Sequence, residues 1–114
     1  MISKKQTLEL LKHMALLFPY FRIPTERGEA EFFVSSWANA LNRDVDWPAH
    51  VYQEALDSYF ASLTGRSSTP VPGDIREHCR KVIERIESDP VRGPKLREWR
   101  EQRRLEREQQ FLGG

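Results

Sequence analysis

The chain is poor in the residues that build the commonest kinds of site. It has 114 residues with a single cysteine, Cys79, which excludes an internal disulfide framework and cannot alone form a thiolate metal centre. Three histidines (His13, His50, His78) share no i, i+4 spacing, so no helical face offers a metal-ligand pair. His78 adjoins Cys79, but neighbouring residues of a helix point in different directions and do not share a ligand site. Six glycines include no phosphate-cradling loop: Gly65 and Gly73 stand alone, and GxxxxGK[ST] is missing. Ser67, Ser68 and Thr69 have no base placed beside them. No apolar run approaches the roughly 18–20 residues that a membrane span needs. Glu9, Lys12 and His13 interrupt the only segment that could resemble a signal-peptide core, so a reduced, cytoplasmic setting is expected. These absences lead to the expectation of a non-catalytic protein without metal or cofactor.

Charge of one sign is also lacking on average, since the formal net charge is +1. The average conceals a gradient. Met1 to Asp57 holds 6 Lys/Arg against 8 Asp/Glu, and Ser58 to Gly114 holds 12 against 9. From Arg92 onward the count is 7 against 4, while apolar residues thin after Ile86. The chain therefore reads as a helical domain over residues 1–90 and a basic tail over 91–114, helical or folding on binding.

What is present is helical periodicity, and no strand-like alternation survives. Leu8, Leu11, Ala15 and Phe18, with Leu10, Met14 and Leu17 beside them, mark a first helix from about Ser3 to Phe18. Ser3 is a candidate cap and Pro19 the stop. Tyr20 to Pro24 reads as an extended, aromatic connection. A second helix, about Glu29 to Leu41, carries Phe33, Trp37, Ala40 and Leu41, and Asn42-Arg43-Asp44 closes it as a polar turn. A third opens at Trp47-Pro48 and runs through Val51, Tyr52, Ala55, Leu56, Tyr59, Phe60 and Leu63 to Thr64, with Gly65 as its expected C-terminal cap. After a breaker-rich loop, Asp74 and Glu77 form a candidate capping box for a fourth helix bearing Ile75, Cys79, Val82, Ile83 and Ile86. Beyond Gly93-Pro94, Lys95 to Phe111 is charged and helix-favouring. The expected class is all-α: a small bundle of about four helices with a charged C-terminal helical or flexible tail. Trp37, Tyr52, Tyr59 and Phe60 are expected in its core.

The tail offers the best candidates for binding. Trp99 lies among arginines with little apolar company, and Trp and Arg concentrate energy at interfaces. It either anchors a partner or folds back with Leu96. Arg97 with Glu101 and Arg104 with Glu108 stand at pairing distance along a helix. The interleaved glutamates oppose phosphate binding, so an acidic or mixed-charge protein surface is the expected partner and direct nucleic-acid binding is expected to be weak or absent.

The order of features across the first 80 or so residues resembles the phage proteins that load and inhibit a DnaB-type replicative helicase. Leu8-Glu9-Leu10-Leu11 leads to the knot Phe18-Pro19-Tyr20-Phe21, followed by Trp37-Ala38-Asn39-Ala40-Leu41 and by Ala55-Leu56-Asp57-Ser58-Tyr59. Pro70-Val71-Pro72-Gly73-Asp74-Ile75-Arg76 completes the series. The linker Arg22 to Gly28 is longer than the pattern, and the charged C-terminal segment is broader. The resemblance implies a helical N-terminal domain and a C-terminal part that contacts the helicase. It implies a cytoplasmic adaptor in a bacterial host cell that binds a hexameric replicative DNA helicase, restrains its ATPase and helps deliver it to an origin with an initiator protein. Trp99, Arg100, Arg103, Arg104, Arg107 and Phe111 are the candidate partner-binding residues. The alternative expectation is a small helix-turn-helix-like DNA-binding regulator, with Arg76, Arg80, Lys81 and Arg85 of the fourth helix facing the duplex.

Overall fold

The computed structural model describes residues 1–63 and 69–113. Among them are five helices: α1 (Lys4–Leu17), α2 (Arg27–Asn42), α3 (Ala49–Ser62), α4 (Pro72–Ser88) and α5 (Arg92–Gly113). The all-α expectation stands, and the charged C-terminal segment is itself the fifth helix. The expected cap Gly65 lies outside the described residues. By compactness the chain divides into Met1–Val82 and Ile83–Gly114, a boundary inside α4.

In the first unit, α1 packs on both α2 and α3. Ser3 accepts from the Gln6 amide at 3.0 Å, and the Gln6 side chain accepts from the Ser3 amide at 2.9 Å. This reciprocal cap overcomes the unfavourable Lys4 and Lys5 in the first turn. The buried stripe runs Thr7, Leu10, Leu11, Met14 and Phe18, one residue round from the expected Leu8–Leu11–Ala15 face. Thr7 can join it because its hydroxyl donates to the Ser3 carbonyl at 2.7 Å.

Helix α2 starts two residues before the expected Glu29. The Glu26 carboxylate accepts from the Gly28 and Glu29 amides at 3.0 and 2.8 Å, doing from a longer side chain what Asp or Ser does at most caps. Those bonds hold the Glu26 carboxyl below its ordinary pKa. At the other end Asp44 turns the chain at φ 58°, a left-handed conformation that Asp tolerates better than most residues. In α3, Pro48 occupies the cap position without a side-chain bond, and Val51, Tyr52, Ala55, Leu56 and Tyr59 are buried. Phe60 departs from expectation: it is 46% exposed, with its ring edge-on to Phe18 at 5.7 Å between centroids.

Helix α4 also begins earlier than Asp74. Pro72 takes the first position, where its missing amide hydrogen is no loss, and Asp74 reaches back to accept from the Val71 amide at 3.0 Å. Asp74 is therefore the returning half of the cap, not the cap itself. Ile75, Cys79 and Val82 face inward. Burial pushes the Cys79 thiol up to about 12, so it stays protonated and unreactive at neutral pH.

Polar side chains fasten this unit at defined points. Tyr52, fully buried, donates its hydroxyl to the Leu41 carbonyl at 3.0 Å, which answers an open acceptor at the end of α2. Asn42 exchanges two hydrogen bonds with the Ile2 backbone, at 2.9 and 2.8 Å. Arg76 of α4 donates to the Arg43 carbonyl at 2.8 Å and the Ala40 carbonyl at 3.4 Å, placing a cation at the negative end of α2.

The second unit contains the end of α4, a short corner and α5. Asp89 accepts from the Val91 and Arg92 amides at 2.8 and 2.9 Å, and the Gly93 amide donates to the Asp89 carbonyl at 2.9 Å. Helix therefore resumes at Arg92, before the Gly93-Pro94 pair expected to precede it; Pro94 is tolerated in a first turn. Gly93 is favoured by space. A Cβ there would sit 3.0 Å from the Glu87 carbonyl oxygen and 3.3 Å from that of Ile86.

Candidate functional site

Helix α5 carries all six candidate binding residues, and a rotation of about 100° per residue brings most of them to one side. Arg100, Arg104, Arg107 and Phe111 recur at intervals of three and four, with Trp99 and Arg103 along their flank. The row begins at Leu96, which is buried, and ends at Phe111, which is 87% exposed. Sequence and burial thus divide one face into a covered start and an open end.

The proximal residues are engaged within the second unit. Trp99 is half-buried, with the Arg103 guanidinium carbon 5.9 Å from its ring centroid. Arg103 also pairs with Glu106 at 3.1 Å, and Arg100 with Glu87 at 3.0 Å. Trp99 is accordingly neither a bare anchor nor a core residue. Arg104 bridges two carboxylates, Glu101 at 2.6 Å and Glu108 one turn further on. The Arg104–Glu108 pair matches the expected spacing, but Glu101 bonds to Arg104 instead of Arg97. An acid preceding its base along a helix has the better alignment with the helix dipole, and Glu101–Arg104 has that order whereas Arg104–Glu108 has the reverse. Its guanidinium holds the Glu101 carboxyl below the ordinary range.

The distal residues differ. Arg107 is exposed and makes no ion pair among the described residues. Phe111 and Leu112 are 87% and 83% exposed. With Arg104, Arg107 and Glu108 they line a shallow, mostly apolar recess. Leu112 was not among the residues singled out from sequence. Its signal was an adjacent apolar pair, Phe111-Leu112, after five polar residues.

The residues that would serve a DNA-binding α4 are dispersed. Arg76 is occupied at the end of α2, and of the exposed residues Lys81 and Arg85 share one side of the helix while Arg80 points away from them. The histidines are separate too. His13 bonds to Gln53 at 2.6 Å, His50 to Glu54 at 3.0 Å, and His78 to the Ser58 hydroxyl at 3.1 Å. His78 is buried edge-on to the Tyr59 ring, with centroids 5.5 Å apart, which marks it as an interhelical packing residue. Among the described residues no cluster of three or more His, Cys, Asp or Glu could hold a metal ion, and no helix is long and apolar enough to cross a membrane.

The chain matches no protein-family model, no curated protein and no solved structure.

Proposed function

We propose that the protein is a non-catalytic adaptor of phage DNA replication that binds a hexameric DnaB-type replicative helicase, restrains its ATPase and assists its delivery to the origin. The observation that carries this reading is the contrast along α5: a basic helix of 22 residues whose covered start gives way to an exposed Arg107–Phe111–Leu112 end. Basic and aromatic side chains on one helical face suit insertion into a protein groove. The ordered series of motifs from Leu8 to Arg76 supplies the identity of the partner, by resemblance. The mixed charge of α5, with Glu98, Glu101, Glu106 and Glu108 among its arginines, favours a protein over bare phosphates.

The test is a pull-down with purified replicative helicase, using the chain with and without residues 92–114. Binding by the full chain and its loss on truncation is expected. Equal binding by both forms would remove α5 from the interface, and no binding by the full chain would end the helicase assignment.

A further inference from the structure

We propose that the last turns of α5 form the anchor: Arg107, Phe111 and Leu112 dock as a helix into an apolar groove rimmed by carboxylates on the partner protein. The proposal deepens the adaptor reading and rests on it for its first probe. Three observations select this short segment from the longer candidate row.

First, the most exposed apolar area of α5 is here, since Leu105 about two turns earlier is only 41% exposed. Leu96 is buried and Trp99 is half-buried beneath Arg103, whereas Phe111 and Leu112 are nearly bare. Burying two such side chains removes more apolar surface from water than any other pair on α5 can offer. Second, charge is uncommitted here. Arg100, Arg103 and Arg104 each hold a carboxylate within α5 or the end of α4, so recruiting them would break an existing pair. Arg107 breaks none. Third, Arg104, Arg107, Glu108, Phe111 and Leu112 together line a shallow, mostly apolar recess, so charge and apolar surface adjoin here. The helix face that projects Phe111 and Leu112 beside Arg107 is complemented by a groove with an apolar floor and an acidic rim opposite Arg107. A run of phosphates is a poorer complement, because Glu106 and Glu108 flank Arg107 and an apolar pair would gain nothing from it.

The experiment is calorimetric titration of the full chain against two purified proteins. One is a DnaB-type replicative helicase. The other is calcium-loaded calmodulin, an acidic protein whose apolar groove accepts basic amphipathic helices. The double substitution Phe111→Ser with Leu112→Ser is expected to weaken binding by about 30-fold or more, in the range of interface hot spots. Arg107→Glu is expected to weaken it about 10-fold and to flatten its salt dependence. Arg97→Glu, an exposed residue away from the recess, is expected to stay within about 2-fold. Helicase binding that survives the double substitution would overturn the anchor and leave the adaptor reading intact. Calmodulin binding that depends on Phe111 and Leu112, without helicase binding, would uphold the anchor and end the helicase reading. Binding to neither protein would overturn the anchor. So would duplex-DNA binding abolished by Arg107→Glu, or self-association in sedimentation abolished by the double substitution.

Discussion

Met1–Val82 and Ile83–Gly114 are both helical, but their side chains serve different ends. In the first unit, apolar residues are buried in a continuous stripe on each helix, and polar residues tie helix ends together: Tyr52 to Leu41, Asn42 to Ile2, Arg76 to Ala40 and Arg43. In the second, the polar residues of α5 pair mainly with neighbours three or four positions away, and its apolar residues become more exposed toward Leu112. Exposed pairs of this kind contribute only tenths of a kcal/mol each. The lesson is that one composition of Arg, Glu and Leu can serve stability or recognition, depending on whether its hydrogen bonds close long or short loops of chain.

The largest break in this comparison should come from the first core. Leu11→Ala or Leu56→Ala removes a fully buried side chain and is expected to cost about 3 kcal/mol in urea unfolding. The equivalent truncation at Leu112 should leave the unfolding midpoint unchanged. Next, Arg76→Met should destabilise by roughly 1.5 kcal/mol, because two carbonyls at the end of α2 lose a charged donor. An equal loss of stability from Arg80→Met would contradict the distinction drawn between these arginines. Gly93→Ala should cost about 1 kcal/mol by forcing its Cβ against the Glu87 carbonyl, with increased amide exchange confined to the corner and α5.

The smallest effect is a pH dependence. Glu26 and Asp89 are held below ordinary carboxylate pKa values by backbone amides, and Glu101 by Arg104. A depressed folded-state pKa gives stability that is present above the unfolded value and lost as pH falls through the folded one. Helicity should therefore decline on acidification below the ordinary carboxylate range. Glu26→Gln should weaken that dependence in the first unit, and Asp89→Asn should do so in the second. Circular dichroism across an acid titration reads both.

Much of this fold was legible in local sequence. Ser3 stands just ahead of its helix as a cap, Pro19 excludes itself from α1, and each buried stripe recurs at three and four residues. Less legible were features whose partners lie far along the chain. Arg76 reads as one more exposed base in a polar helix, yet its partners stand 33 and 36 residues earlier. Glu26 was hidden because glutamate is uncommon as a cap, and Asp74 because a capping acceptor can act from inside its helix. Phe60 fits the apolar period of α3, but periodicity describes direction and not how much neighbouring structure covers it. For the binding face, the six residues from Trp99 to Phe111 could be picked out by type. Their division could not, since it depends on which arginines find carboxylates and on where burial ceases.

Hydrogen–deuterium exchange of the full chain, alone and with the replicative helicase hexamer, tests the central claim directly. New protection is expected in α5, strongest over residues 104–112, with the amides of α1, α2 and α3 unchanged. Protection confined to those three helices, with α5 exchanging as fast as in the free protein, would contradict it.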